Sequence, residues 1–306
     1  MQRVEFLERV HAGRIIPSCA IIAAVNYRHA YHAGNFADIM KHSVLVVLLD
    51  ALKRKAAPWC YFDTHAGGGI YDLRSEAAAR TGEGAGGIGR LWSARGTAPA
   101  AVTQLCNVIT GINNGGATSA CPRRYPGSPV VAAGLARAQD RLVLAELHPQ
   151  EERLLRDYFY GDRRVAVHGR DGYEMLTALV PPAERRGLVL MDPPFEKPDE
   201  FVQMLAALKN AYAHWPTGIY ALWYPLKEVT VVKRFERALT QSRIHRILLA
   251  EFRIAPAGNP GFYGCGMALI NPPWQSEQNI GSTLNFLKNI LAPDTGSYTI
   301  RWLAGE

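Results

Sequence analysis

The sequence is poor in cysteine, and its cysteines lack the spacing of a metal or redox motif. Five cysteines are spread over 306 residues, and no two of them form a C-x-x-C pair. This spacing excludes a zinc ribbon and argues against a disulfide framework. Unpaired thiols are typical of a reducing compartment, so the sequence predicts a cytoplasmic protein.

Long apolar runs are missing as well. No segment approaches the ~20 apolar residues that a membrane-spanning helix needs, so we expect no association with a membrane. The apolar residues 17–25 are few, begin with Pro17 and lack a clear cleavage site before the polar residues that follow. We interpret them as part of an N-terminal extension and not as a secretory signal.

The charged residues show only a mild excess of one sign. There are 34 Lys and Arg against 27 Asp and Glu, a formal net charge of +7. This excess suits a polyanionic partner without requiring one. The segment with His29, His32 and His42 has no carboxylate or cysteine at the spacing of a metal site, so we expect no metal.

Strand and helix patterns alternate along most of the chain. Helical patterns follow apolar, strand-like runs that begin near residues 59, 141, 164, 186 and 218. Continuous apolar strands separated by helices predict an α/β fold, a mostly parallel sheet with helices on both faces. A helix is expected over 38–55 with Asp38 as its cap, and two strands, 246–254 and 264–271, are expected to close the chain. Residues 70–122 have the composition of a small helical insertion.

Acidic residues follow the predicted strands at the points where the strands end. These residues are Asp63, Glu146, Asp171 and Asp192. Ligands of parallel α/β sheets bind at the carboxyl ends of the strands, so we expect the four acids at one edge of the sheet. The alternative is an α/β domain whose strand-end acids are incidental.

The glycine-rich turn after the first strand is not a phosphate-binding fingerprint. "DTHAGGGIYDL" matches neither G-x-G-x-x-G nor G-x-x-x-x-G-K-[ST]. Glu146 is placed to accept from ribose hydroxyls, a position that NAD enzymes share with methyltransferases, and Asp171 could accept from an adenine amino group. The missing fingerprint favours an adenosine cofactor without phosphates, S-adenosylmethionine.

The fourth of these strands ends in "MDPPFE", a loop suited to an adenine base. Prolines lack an N–H and have a fixed φ, so the loop is stiff. Asp192 and the carbonyl of Pro193 can accept the two hydrogens of an exocyclic amino group, and Phe195 offers a stacking face. "INPPW", at 270–274, repeats these letters. The order of the strand-end acids ranks Asp192 above Asn271, which we interpret as a secondary feature, a loop wall near the pocket.

Several motifs occur together and in order. They are "NYRHAYHAGNFADIMKH", "YFDTHAGGGIYDL", "YPGSP", "LAELHP", "RDGYEML", "MDPPFE", "GIYALWYP" and "INPPW". Together they resemble the bacterial family of 23S ribosomal RNA adenine-N6 methyltransferases named RlmJ, which acts on adenine 2030. The resemblance runs from about Asn26 to the C-terminus and implies a Rossmann-like class I methyltransferase fold with a small helical insertion.

The resemblance also implies site residues. Asp192 matches the family's catalytic proton acceptor, with Pro193 and Phe195 beside it, and Tyr27 matches the tyrosine that meets the RNA. Phe195 stands where better-known members have tyrosine, so a hydroxyl is lost and the stacking face is kept. The positions that match S-adenosylmethionine-binding residues are His42, His65, Ser128, Glu146, Asp171, Gly172 and Asp192.

The remaining expectations concern organisation and partners. Residues 1–25 lie outside the family pattern, and Val25 falls near the usual start of family members. We therefore expect residues 1–25 to be an extension that results from a mis-assigned start codon. Residues 26–69 and 123–306 are then the methyltransferase domain, with 70–122 as the insertion. Arg28 and Lys41 are available for RNA phosphates. We expect a monomer that acts on 23S ribosomal RNA; a DNA adenine-N6 methyltransferase and a non-catalytic RNA-binding module are the alternatives.

Overall fold

A computed structural model of the chain describes residues 29–114 and 121–305. Residues 1–25, Tyr27 and Arg28 lie outside this part, so the expectations about them stay predictions. Among the described helices, none combines the length and the apolar character that crossing a membrane would require.

The described strands form one large sheet and one small ribbon. The strands are β1 (Cys60–Asp63), β2 (Ile70–Asp72), β3 (Arg124–Pro126), β4 (Arg141–Ala145), β5 (Val165–His168), β6 (Gly187–Met191), β7 (Ile219–Leu226), β8 (Ile247–Arg253), β9 (Gly264–Ile270) and β10 (Ser297–Ala304). The eight-stranded sheet has the order β10-β8-β9-β7-β6-β1-β4-β5, and β2 pairs with β3. Pairs within β5-β4-β1-β6-β7 are parallel, whereas β9 and β10 run in the opposite direction. The expected mostly parallel, Rossmann-like α/β fold is confirmed.

Helices cover both faces of this sheet. They are α1 (Phe36–Lys53), α2 (Glu76–Thr81), α3 (Arg90–Ala94), α4 (Ala100–Ile112), α5 (Ser128–Leu135), α6 (Pro149–Tyr158), α7 (Gly172–Leu179), α8 (Glu200–His214), α9 (Val229–Thr240) and α10 (Ser276–Leu291). Buried residues of α1, α4, α5 and α10 share one apolar core with one face of the sheet. Those of α7, α8 and α9 form the second core on the other face. Strands between two apolar layers are buried on both sides, which explains their continuous apolar runs.

The first helix begins earlier than predicted and has a different cap. The Asn35 side chain accepts hydrogen bonds from the backbone N–H groups of Ala37 and Asp38, and the helix runs from Phe36 to Lys53. The assignment of Asp38 as the cap is therefore wrong. Asp38 lies within the first turn and is only 3% exposed, because its carboxylate takes part in a buried polar network described below.

The two strands predicted to close the chain are followed by a further helix and a further strand. Helix α10 and the edge strand β10 follow β9. The apolar residues Ile280, Leu284, Leu287 and Leu291 are buried at helical spacing, the pattern of an amphipathic helix. Most of β10 is half-buried or exposed, so it lacks the continuous apolar run by which central strands are recognised.

Residues 70–122 include three short or medium helices and strand β2. Helix α4 packs against α1 and α5, with Val102, Leu105 and Ile109 fully buried in the core that α1 shares with the sheet. Strand β2 pairs with β3, which lies just beyond the segment. The division of the chain into a methyltransferase domain and an insertion stays a prediction.

Candidate active site

A cavity of about 390 Å³ opens at the carboxyl ends of the parallel strands. Strand β1 pairs in register with β4 and β6, so residues that follow these strands meet at one edge of the sheet. The cavity wall contains every predicted site residue that the structure describes: Lys41, His42, His65, Ser128, Glu146, Asp171, Gly172, Asp192, Pro193 and Phe195. Asp63 is fully buried at the end of β1 and is not part of the wall.

Asp63 supports the cavity from beneath. Its Oδ2 accepts hydrogen bonds from the hydroxyls of Tyr61 (2.6 Å) and Ser128 (2.7 Å), and its Oδ1 accepts from the backbone N–H of His65 (3.3 Å). Burial raises the pKa of Asp63 to about 6, against the hydrogen bonds that favour the ionised form. Asp63 thus holds two wall residues, Ser128 and His65, in place.

Glu146 connects the loops after β1 and β4. Its Oε2 accepts from the backbone N–H of Gly67 (2.8 Å) and its Oε1 from that of His148 (2.7 Å). Burial raises the pKa of Glu146. Each carboxylate oxygen keeps a second lone pair, so a diol in the cavity can still donate to Glu146. Gly67 has φ +64°, and a Cβ there would lie 2.2 Å from the hydroxyl of Tyr71, so the turn requires glycine.

Asp171 caps helix α7 and leaves one oxygen available. Its Oδ1 accepts from the backbone N–H groups of Tyr173 (2.8 Å) and Glu174 (3.0 Å). Its Oδ2 makes no hydrogen bond within residues 29–114 and 121–305. Gly172 is required by packing, because a Cβ would lie 2.0 Å from the carbonyl oxygen of Thr64. This contact brings the loop after β5 against the loop after β1.

Two buried polar atoms on the cavity wall have no partner within the described residues. One ring nitrogen of His42, Nδ1, shares a hydrogen bond with the Tyr125 hydroxyl (3.0 Å), whereas Nε2 has none. The Tyr173 hydroxyl is likewise without a partner there. Burial, helped by the charge of Lys41, lowers the pKa of His42 to about 3. Burial also lowers the pKa of His65 to about 4, so both imidazoles are neutral at neutral pH. Buried polar groups normally have partners, so these two atoms indicate a polar ligand.

The depressed pKa of His42 predicts a pH dependence of stability. Between pH 6.5 and about 3 the unfolded chain binds a proton at His42 that the folded chain excludes. The free energy of unfolding therefore falls as the pH drops below 6.5, by about 2 kcal/mol for this group at pH 5. We expect urea denaturation at pH 7.5 and pH 5 to show a smaller acid loss for His42→Gln than for the unchanged chain. His245→Gln, at an exposed site, is the control; equal acid losses in all three proteins would contradict the prediction.

Asp192 is held by a buried ion-pair network that sequence reasoning did not find. Nζ of Lys41 lies 2.5 Å from Oδ2 of Asp192 and 3.0 Å from Oδ1 of Asp38. Oδ2 of Asp38 also accepts from the backbone N–H of Gly34 (2.9 Å) and bonds to Nε2 of His29 (2.9 Å). Burial works to raise the pKa of Asp38, but His29 and Lys41 outweigh it and hold this pKa well below its usual range.

This network corrects the role expected for Lys41. Lys41 is only 4% exposed and sits between two carboxylates, so the structure does not support a surface contact with RNA phosphates. Instead, Lys41 orients Asp192 and leaves its Oδ1 without a hydrogen bond within the described residues. The sequence signal that could have indicated this ion pair is the i, i+3 spacing of Asp38 and Lys41, because it places both side chains on one helix face.

An aromatic wall continues from the loop after β6. Phe195 has φ +52°, and its ring centroid lies 4.8 Å from that of Phe201 and 5.8 Å from that of Trp223. Trp223 in turn lies 6.3 Å from Phe262, which precedes β9. Phe195, Trp223 and Phe262 all line the cavity. Sequence reasoning missed Trp223 and Phe262, because an aromatic residue in or beside a strand most often belongs to the core.

Asn271 lies at the end of the sheet opposite the cavity, where the parallel strands begin. Strand β9 is antiparallel to β7, and its last residue, Ile270, pairs with Tyr220 near the beginning of β7. The Asn271 side chain donates to the carbonyl oxygens of Pro216 and Gly218, both 2.8 Å away. Ranking this loop below the Asp192 loop agrees with the topology. Its description as a wall near the pocket is wrong, because the reversed strand carries it to the opposite edge.

The three histidines near the N-terminus have separate partners. His29 bonds to Asp38, His32 to Glu83 (3.0 Å), and His42 to Tyr125. Within the described ranges, no group of three or more His, Cys, Asp or Glu side chains is arranged to hold a metal ion.

Comparisons with known proteins show the family to which this chain belongs. The sequence model of the family described as "Ribosomal RNA large subunit methyltransferase D, RlmJ" matches residues 56–304. Two proteins named ribosomal RNA large subunit methyltransferase J are similar over 92% of this chain and 100% of their own length, at 42% identity in Escherichia coli and 40% in Haemophilus influenzae. A crystal structure of a Legionella pneumophila protein has a TM-score of 0.82 and 37% identity, covering 89% of this chain and 98% of that one. The chain therefore belongs to the RlmJ family of large-subunit ribosomal RNA methyltransferases.

Proposed function

We propose that this chain transfers a methyl group from S-adenosylmethionine to N6 of adenine 2030 in 23S ribosomal RNA. The products are N6-methyladenine and S-adenosylhomocysteine. The observation that carries the proposal is that Asp192, Pro193 and Phe195 open into the same cavity as Glu146 and Asp171. The RlmJ relatives, named for large-subunit ribosomal RNA, support the choice of substrate. The protein would act as a cytoplasmic monomer, without a metal.

The cavity fits S-adenosylmethionine in its polar groups. Glu146 is placed to accept from ribose hydroxyls, and Oδ2 of Asp171 from the adenine amino group. The unpartnered His42 Nε2 and Tyr173 hydroxyl can bond to polar atoms of the cofactor. His42 and His65, both neutral, add no positive charge against the sulfonium. When bound, the cofactor supplies an electrophilic methyl group.

The acceptor half of the cavity suits a flipped adenine. Phe195 can stack on the base, which contributes about 1–3 kcal/mol and offsets the few kcal/mol that unstacking costs. Oδ1 of Asp192 and the Pro193 carbonyl accept the two amino hydrogens, which directs the nitrogen lone pair away from the ring. As the N–C bond forms and the C–S bond breaks, the nitrogen becomes strongly acidic and Asp192 takes its proton. Lys41 holds the carboxylate in place during this step.

The substrate can be tested with a labelled methyl group. Purified protein is incubated with labelled S-adenosylmethionine and one of three acceptors: protein-free ribosomal RNA, assembled large subunits or duplex DNA. Label in the RNA supports the proposal. Label in duplex DNA alone would assign a DNA adenine methyltransferase, and binding of RNA without label in any acceptor would assign a non-catalytic RNA-binding module.

The position of Asn271 makes a further prediction. Because Asn271 lies at the edge opposite Asp192, Asn271→Ala should leave the affinity for the cofactor and the single-turnover rate at saturating RNA within about threefold of the unchanged chain. Filter binding of labelled cofactor and rapid-quench assays measure the two quantities. Complete loss of turnover in a folded variant would reverse the ranking of the two proline loops.

A further inference from the structure

The loop from Asn271 to Gln275 carries an exposed tryptophan at the end of the sheet opposite the cavity. The Trp274 side chain is 83% exposed, whereas Pro272, two residues earlier, is buried. Trp274 contributes to neither apolar core of the described residues.

The loop is held in one shape by its surroundings. The Asn271 side chain donates to two carbonyl groups, and its backbone N–H donates to the carbonyl of Arg246 (3.0 Å). Asn271 and Gln275 have φ of +53° and +67°, a region that non-glycine residues rarely adopt. Such strain persists where neighbouring structure enforces it, and it is found preferentially at functional positions. The backbone that carries Trp274 is thus held in one conformation.

Two arginine side chains bond to the loop, one on each side of Trp274 in the sequence. The Arg54 guanidinium donates to the Gln275 side-chain oxygen (3.1 Å), and that of Arg246 to the carbonyl of Pro272 (3.5 Å). Arg243 is exposed in the turn that leads to Arg246. Glu277, an acid that follows the loop in the sequence, accepts a hydrogen bond from the ring N–H of a different tryptophan, Trp302. Arg54 bonds a neutral amide, so its charge stays available to an anion.

The cavity itself has the opposite charge. Its wall contains eight carboxylate side chains and three lysines, whereas the whole chain has a net charge of +7. An acidic cavity repels the phosphates of RNA, so affinity for a large RNA has to come from other surfaces. A flat aromatic side chain flanked by arginines is the arrangement that binds unpaired nucleotides.

We propose that Trp274, Arg54 and Arg246 form a second RNA-binding surface, on which an unpaired base stacks on the indole and the arginines contact its phosphates. This inference rests on the proposed action on ribosomal RNA. Charge complementarity favours RNA as the partner, because Arg54 and Arg246 both bond to residues of the loop that carries the indole. The surface lies roughly 20 Å from Asp192, given the ~3.3 Å rise per residue of the strands between them, so a long RNA can contact both.

The test is equilibrium binding of protein-free 23S ribosomal RNA, which needs no turnover. We expect Trp274→Ala to weaken binding about tenfold and Trp274→Phe to retain most of it, because the phenyl ring still stacks. Arg54→Gln should reduce the slope of log K against log salt by ~0.7–0.9. Tyr160→Ala, which removes a tyrosine that is 92% exposed elsewhere on the surface, is the matched control and should bind as the unchanged chain.

Binding to naked RNA that is the same for Trp274→Ala and the unchanged chain would overturn the proposal. An effect seen only with assembled subunits would also overturn it, and would assign the surface to a ribosomal protein. Cofactor affinity of Trp274→Ala, expected to be unchanged, confirms that the variant is folded. If the unchanged chain binds the RNA without methylating it, the proposed function fails, while the comparison of the Trp274 variants still decides on the surface.

Discussion

Asp192→Asn is expected to lower the single-turnover rate of methyl transfer by about 10²–10⁴-fold, the usual contribution of a positioned proton acceptor. Asparagine keeps the size of the side chain and one acceptor oxygen. It cannot take the proton from the methylated nitrogen, and it loses the ion pair that Lys41 makes with Oδ2. Rapid-quench assays with labelled cofactor at saturating RNA measure this rate, and Asp192→Ala should abolish it.

The control for this loss is Asp199→Asn. Asp199 is exposed and lies seven residues further along, and its side chain accepts a hydrogen bond from that of Gln203 at the start of helix α8. Its substitution should leave the rate unchanged. Circular dichroism should show both variants folded. A folded Asp192→Asn protein with the full transfer rate would end the mechanism proposed for this loop.

Lys41→Met is expected to destabilise the protein by about 3–5 kcal/mol, the usual cost of breaking a buried ion pair. Methionine fills similar space without charge. The variant leaves Asp38, 3% exposed, and Asp192, 16% exposed, as two carboxylates facing each other without their shared cation. Urea denaturation at pH 7.5 measures the loss in the free energy of unfolding, and methyl transfer should fall because Asp192 is no longer oriented.

The same helix provides a matched control. Lys53 lies 3.6 Å from Asp50 with about a third of both side chains exposed, so Lys53→Met should cost less than about 1 kcal/mol. The double variant Asp38→Asn with Lys41→Met should recover part of the lost stability, because one of the two facing carboxylates is replaced by a neutral amide. Equal losses for Lys41→Met and Lys53→Met would show that the network contributes no more than a surface pair.

The site could be predicted from sequence where the argument depended on strand ends. Parallel strands present their carboxyl ends at one edge, so the acids after β1, β4, β5 and β6 had to converge. The separate roles of these acids could not be predicted in this way. Asp63 is turned beneath the cavity and Glu146 into it, a difference that depends on the direction of each side chain after its strand ends.

The polar network around Lys41 shows a different limit. A lysine in a histidine-rich segment looks like an RNA contact, because a sequence shows its charge and not its burial. Helix α1 lies between the sheet and the helices α4, α5 and α10, so the polar residues of its first turns, Asp38, Lys41 and His42, are buried. The same limit applies to Asp38. An acid near the start of a helix is usually an exposed cap, whereas here Asn35 caps the helix and Asp38 is buried in its first turn.

The two proline loops differ most in topology. Their local letters are nearly the same, and the order of the strand-end acids ranked them. The reversal of β9 could not be predicted from that order; its signal was the absence of a predicted helix between the strands at 246–254 and 264–271, which is the pattern of an antiparallel pair. The reversal moves Asn271 and Trp274 away from the cavity and makes them available for a separate role.

The most direct test is to map the methyl group on the RNA. Unmodified 23S ribosomal RNA is incubated with the protein and S-adenosylmethionine carrying a deuterated methyl group, digested, and sequenced by mass spectrometry. We predict one labelled N6-methyladenine, at adenine 2030, and none with Asp192→Asn. A label on another atom or nucleotide, or no label from a folded protein that binds the cofactor, would contradict the proposed function.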